Sequence, residues 1–212
     1  MKGFVRDPNA VVRSDFFPGL GWMMRSDLWF DIGSDGRWPR GYWDDWIREP
    51  ERRKGRETIR PEISRTFHFG QTGGTSGGQY SSYLDSIQLN TLDIDWNTKE
   101  IDFLRKSNYD SAFRQDVEAA PLATLDDLTA ARNGRDNAQL TSLKITYNNL
   151  RQFERISQQL KVMDNIKAGV PRTAYKGVVA FPMDVTVGSQ TFVYIVPSKI
   201  NWEGDGDERG LN

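Results

Sequence analysis

The 212 residues predict a mixed α/β protein, on three observations. Residues 139–147 alternate polar and apolar side chains, as a strand with one buried face does. Leu150, Phe153, Ile156, Leu160, Met163 and Ile166 recur at spacings of three and four, an amphipathic helix that ends near Gly169-Val170-Pro171. Residues 178–181 and 191–196 read as paired strands around a turn at Gly188-Ser189.

The remaining elements follow in chain order. Residues 1–14 are polar and without pattern, the expected remnant of something longer. Pro18, Gly19 and Gly21 break regular structure, so Phe16, Phe17 and Trp22 are presented by a tight loop. Ser26 is placed to cap a short apolar run through Leu28, Trp29 and Phe30. Residues 44–53 can form a helix with Trp43, Trp46 and Ile47 on one face, kinked or ended at Pro50. Residues 58–63 and 64–69 read as short extended pieces. Residues 70–78 form a glycine-rich loop, a candidate lid that settles on a ligand. Tyr80, Tyr83, Leu84 and Ile87 suggest a further helical turn. Residues 99–118 read as helical or mixed linker, with Tyr109, Phe113 and Val117 four apart, and residues 119–128 as a connector. Two units result: an aromatic, arginine-rich piece up to about Gly70, and a helix-plus-sheet module over residues 108–200, with 71–107 as loop and linker and 201–212 as a frayed tail.

Composition bounds the chemistry. Hydrophobic residues make up 37% and charged residues 27%, which suits a folded domain. The formal net charge of -1 gives no electrostatic case for a nucleic-acid binder of the basic kind. With no cysteine there are no disulfides or thiolate metal sites. His68, the one histidine, sits in a Phe-His-Phe setting that favours a structural role. No stretch approaches the roughly 18 apolar residues of a membrane span, and the N-terminus does not begin a secretory signal.

Chemistry concentrates between Arg37 and Ser76. Asp44 and Asp45 are adjacent carboxylates among Trp43, Trp46 and Trp38, costly to bury unless paired or used. They either decorate the start of a helix, where acids are favoured, or one serves as a general base for an alcohol nucleophile. As a metal site the pair is a poor signal. Arg48, Arg52, Arg53, Arg56, Arg60 and Arg65 are either a solvated face or, in part, partners for a phosphate. The loop FGQTGGTSGGQ matches neither the P-loop nor the Rossmann fingerprint, although its amides and the hydroxyls of Thr75 and Ser76 could cradle a diphosphate.

Three stretches, DFFPGLGWMM, WPRGYWDDWIREPERRKGRETIRPEISRTFHFG and GVPRTAYKG, resemble the C-terminal half of the N-acetylglucosaminyltransferase I family, over about residues 14–197. The protein O-mannose beta-1,2-N-acetylglucosaminyltransferases share parts of these blocks, but GYWDDWIREP and IRPEISRTFHFG are closer to the N-glycan family. The resemblance implies an incomplete GT-A-type catalytic domain followed by a small α+β domain. It implies an inverting, manganese-dependent transfer of N-acetylglucosamine from UDP-GlcNAc to the 2-hydroxyl of the alpha-1,3-linked mannose of Man5GlcNAc2. In that family the first aspartate of the WDDW motif is the base, which places the role on Asp44, with Trp43 shaping the sugar site and Asp45 supporting. The family's serine on the donor diphosphate corresponds to Thr75 or Ser76. The family's usual cysteine within GRxxIRPE is replaced by Thr58. Its Glu-Asp-Asp metal and nucleotide motif lies upstream of FFPGLGW and has no counterpart among these residues. The expectation is therefore a truncated chain, inactive alone, whose full-length form is membrane-anchored on the lumenal side of the Golgi. The alternative from another class is a non-catalytic carbohydrate-binding or interaction module, since tryptophans also stack on sugars.

Overall fold

A computed structural model describes residues 7–67, 89–132, 141–186 and 189–203, and they form a mixed α/β fold. The larger core is built on alternation in strand β7 (Ser189–Pro197), the middle of a three-stranded sheet. Strand β3 (Ser142–Tyr147) runs parallel to it on one side, and β6 (Val179–Thr186) runs antiparallel on the other. Val193 and Ile195 face one side of the sheet, with Leu143, Ile145, Tyr147, Phe153 and Ile156. Tyr194 and Val196 face the other, with Val117 and Ala120. A strand buried on both faces accounts for the near-continuous apolar run Phe192–Val196.

Helix α6 (Leu150–Leu160) covers the first face. Asn149 caps it, accepting from Gln152 N at 2.9 Å, and Gln152 returns a bond to Asn148 N at 2.8 Å. The helix ends at Leu160, earlier than its stripe of apolar residues predicts. Lys161 turns left-handed (φ 57°), and the amides of Lys161 and Val162 close on the carbonyls of Gln158 and Ser157. Met163 therefore lies beyond the helix, and Ile166 belongs to β4 (Ile166–Lys167), which pairs with β5 (Val170–Pro171). Helix α4 (Lys106–Ala119) covers the second face, with Phe113 and Val117 directed at it. The stretch read as a connector holds helix α5 (Leu125–Arg132), started by Thr124 and Asp127: each accepts the other's backbone N–H, at 3.1 and 2.7 Å.

The N-terminal unit is less regular. Residues 11–14 are not patternless chain but β1 (Val11–Ser14), paired antiparallel with β2 (Thr58–Pro61). At four residues, three partly buried and one fully buried, the strand offers no periodicity to read. Helix α1 (Ser26–Gly33) is preceded by Arg25, so Ser26 is its first residue and not its cap. The predicted helix over 44–53 is two: α2 (Trp43–Arg48) and α3 (Pro50–Arg53). Glu49, forced extended (ψ 139°) by the following proline, separates them, and Pro50 starts the second. Residues 64–66 turn rather than extend, because Ser64 Oγ accepts from Thr66 N and donates to Thr66 O. The glycine-rich loop 70–78, the helical turn over 80–87, His68, and tail residues 204–212 lie outside the described residues. No described helix is long and apolar enough to cross a membrane.

Residues far apart in sequence join the N-terminal unit to the sheet module. Ser14 Oγ and Asp15 N both donate to Ala174 O, at 3.1 and 2.8 Å, and Gly177 N donates to Asp15 Oδ2 at 2.9 Å. Beside this seam Glu57 accepts from Arg13, Lys106 and Tyr175, with Lys176 Nζ at 3.9 Å, and Tyr175 also donates to Asp110. Burial, then the hydrogen bond to Asp110, pushes the Tyr175 phenol well above its ordinary range.

Candidate active site

The site begins with a six-residue helix, Trp-Asp-Asp-Trp-Ile-Arg. Such a short helix has little stability of its own, so tertiary contacts must hold α2. Ile47 is buried with Phe17 and Ile32, and Trp46 packs against that cluster. Tyr42, just ahead of the helix, adopts the left-handed conformation (φ 51°), unusual for an aromatic residue. The turn it makes directs Trp43 and Asp44 out of the preceding loop.

Helical spacing puts Arg48 beside both carboxylates, four residues after Asp44 and three after Asp45. Its Nη1 donates to Asp44 Oδ2 at 2.7 Å and to Asp45 Oδ1 at 2.8 Å. Arg48 is itself buried, its Nε donating to Phe17 O at 3.0 Å and its guanidinium lying over the Phe16 ring. The arginine is thus a fixed strut and not part of a solvated face. Arg53 is also buried, whereas Arg52 and Arg56 pair with Asp35 and Asp31.

The two aspartates differ in what else they meet. Asp45 Oδ2 accepts from Lys167 Nζ at 3.1 Å, so both of its oxygens are held. Burial raises the Asp45 carboxyl, but the Lys167 and Arg48 hydrogen bonds outweigh it and leave the group below its ordinary range. Among the described residues Asp44 Oδ1 has no hydrogen-bond or ion-pair partner, and the Asp44 side chain is 37% exposed. One carboxylate of the pair therefore keeps an oxygen for something else.

The loop before α1 completes the surface. Gly19 is left-handed (φ 78°), and a Cβ there would stand 2.9 Å from Arg48 Nη2 and 3.5 Å from Asp44 Cβ. Only glycine lets this backbone lie on the Asp44–Arg48 pair. Trp43 packs its ring against Phe17 and Trp22, at 6.2 and 5.7 Å between centroids, while staying 41% exposed. From Trp22 a row of rings continues through Trp29 and Trp38 to Trp46, and Arg52 lies over Trp46. Thr58 donates to Phe16 O at 2.8 Å, a bond its hydroxyl makes without any thiol chemistry. Phe16 itself carries Arg48 at 4.7 Å and Arg172 at 4.8 Å from its centroid, so all three quoted stretches meet at one ring.

The structure thus brings Trp43, Asp44 and Asp45 together, while Thr75 and Ser76 lie outside the described residues. Lys167 and Arg172 were not singled out from sequence, and Gly19 was read only as a breaker of regular structure. Gly19 had a local signal in Pro-Gly-Leu-Gly, whereas Lys167 stands 122 residues from Asp45 and had none. Among the described residues no three metal-ligating side chains stand together, and two cations already face the aspartate pair, so these residues do not fit a divalent metal.

Comparison with known proteins bears on the chain as a whole. The sequence model of the GNT-I family matches residues 2–207. The chain is also similar to the alpha-1,3-mannosyl-glycoprotein 2-beta-N-acetylglucosaminyltransferase of Arabidopsis thaliana, at 43% identity over 186 residues. The aligned part covers 87% of this chain and 40% of the relative, so the chain spans less than half of that protein's length.

Proposed function

The chain belongs to the GNT-I family, and on that footing we propose that it carries the acceptor side of an inverting N-acetylglucosaminyltransferase with a GT-A-type catalytic domain. The donor in this reading is UDP-GlcNAc, and the acceptor is the 2-hydroxyl of the alpha-1,3-linked mannose of Man5GlcNAc2. The setting that goes with it is a membrane-anchored protein facing the Golgi lumen. The observation that carries the reading is the asymmetry of the aspartate pair: Asp45 is held at both oxygens, and Asp44 keeps Oδ1 open on a surface lined by Trp43.

The reaction is a single displacement. As the mannose oxygen bonds to the anomeric carbon, its proton passes to Asp44 Oδ1, and the bond from that carbon to the UDP oxygen breaks on the opposite face with its electron pair. A carboxylate suffices because the hydroxyl becomes acidic only as the new bond forms. Arg48 fixes the direction of Asp44 through Oδ2, so little reorientation is needed when the acceptor arrives. Trp43 offers an exposed ring for the apolar face of a sugar. Contacts to the donor diphosphate are assigned to Thr75 or Ser76. Manganese, which the family resemblance implies, finds no fit among the described residues, and no step here runs through it.

The test is transfer of labelled N-acetylglucosamine from UDP-GlcNAc to Man5GlcNAc2 by a chimera that joins the upstream part of the Arabidopsis relative to this chain. Transfer by the chimera, lost on Asp44→Asn with UDP binding retained, supports the reading. Near-normal turnover by Asp44→Asn removes Asp44 as the base.

A further inference from the structure

We infer that Lys167 is a positioning residue for this reaction: by holding Asp45 Oδ2 it keeps that carboxylate out of the chemistry and leaves Asp44 as the member of the pair with an oxygen open to the acceptor. The inference rests on the transferase reading and adds to it a residue from the distant sheet module.

The chain builds Lys167 into place. It ends β4 in a two-residue hairpin, opposite Val170, and the residues between them, Ala168 (φ 48°) and Gly169 (φ 75°), are both left-handed. That is the turn whose twist matches the flanking strands. The hairpin is then anchored by Arg172, whose amide and Nε donate to Asn165 O and Asn165 Oδ1, at 3.0 and 3.2 Å. Arg172 also rests on Phe16, so the hairpin and α2 share one aromatic support. A lysine so placed reaches Asp45 from a fixed base, unlike the two long flexible chains of an ordinary surface pair.

The charge count shows what it does. The charged groups facing the aspartates are Arg48 from their own helix and Lys167 from β4, and the guanidinium of Arg172 lies over the neighbouring Phe16 ring. Both carboxylates draw on one nitrogen, Nη1 of Arg48. Without Lys167, two adjacent negative charges would share that single donor, and like charges this close favour protonation of one member. The guanidinium could then close on both oxygens of Asp44 and occupy the open one. With Lys167 present, Asp45 stays ionised and keeps its share of Arg48.

The chimera tests this. Lys167→Met is expected to lower kcat about tenfold with KM for UDP-GlcNAc unchanged within about twofold, and to move the acid limb of the pH–rate profile to higher pH. Lys167→Arg is expected to restore both, and in an Asp45→Asn background Lys167→Met is expected to add no further loss. In the 212-residue chain itself, carbon-13 titration of the aspartate carboxyls is expected to find Asp45 protonating at higher pH in Lys167→Met than without it. An active chimera in which Lys167→Met leaves kcat and the pH profile unchanged, or an Asp45 titration that does not move, overturns the role of Lys167 and leaves the transferase reading standing. No transfer by the unsubstituted chimera overturns the transferase reading, and the role of Lys167 in it.

Discussion

Two of the charge clusters among the described residues are built to opposite ends. Around Glu57, whose side chain is 3% exposed, Oε1 takes Lys106 and Lys176 while Oε2 takes Arg13 and Tyr175. Around Asp44 and Asp45 the carboxylates are 37% and 40% exposed, and Asp44 retains an oxygen without a partner among the described residues. The Glu57 cluster has more partners and the larger shift, with Tyr175 pushed up by burial, yet both oxygens of its buried carboxylate are taken. It fastens β1 and α4 to the Tyr175–Lys176 segment. The richer electrostatics mark a joint, and the poorer ones mark a candidate site. Perturbed ionisation alone does not separate the two.

Substitutions can break or sharpen that contrast. The largest expected effect is at the joint. Glu57→Gln leaves Arg13, Lys106 and Lys176 without their buried counter-charge and is expected to cost about 3–5 kcal/mol in urea unfolding. Next is Gly33→Ala, where a Cβ would stand 2.6 Å from the Trp38 ring. The row of rings that backs α2 would have to shift, at an expected cost of about 1–3 kcal/mol in the same measurement. Ala168→Gly should act the other way, relieving a left-handed alanine and raising stability by about 0.5–1 kcal/mol without moving Lys167.

The smallest effect is on acid stability. Asp45 is held below its ordinary pKa in the folded chain, so as pH falls the unfolded chain takes up the proton first. The stabilisation is complete above the unfolded pKa and is lost as pH falls through the folded one. Lys167→Met should therefore flatten the fall in urea midpoint on acidification below about pH 5. An equally steep fall in that variant would mean that Lys167 does not hold Asp45 in solution.

What could be read from the residues follows the range of the interactions. The sheet module was legible because alternation in β3, the continuous apolar run of β7 and the stripe of α6 are local consequences of buried faces. The end of α6 was misplaced because Met163 and Ile166 keep the spacing after the left-handed Lys161 has stopped the helix. Helix α5 was missed although Thr124-x-x-Asp127 is a readable start signal. β1 had no local signal, since its four residues are defined by their pairing with β2. At the site, the Asp44-Asp45 pair and the arginines stood out from composition. Which aspartate stays open was not legible, because Lys167 decides it from the other end of the chain.

The most direct measurement of the central claim is the ratio of kcat for Asp44→Asn and Asp45→Asn in the chimera, at saturating UDP-GlcNAc and Man5GlcNAc2. Loss of a general base should lower the first by about 10²–10⁴-fold, and loss of a held neighbour should lower the second by no more than about tenfold. Equal losses, or a larger one for Asp45→Asn, would contradict the assignment of the open oxygen on Asp44 as the proton acceptor.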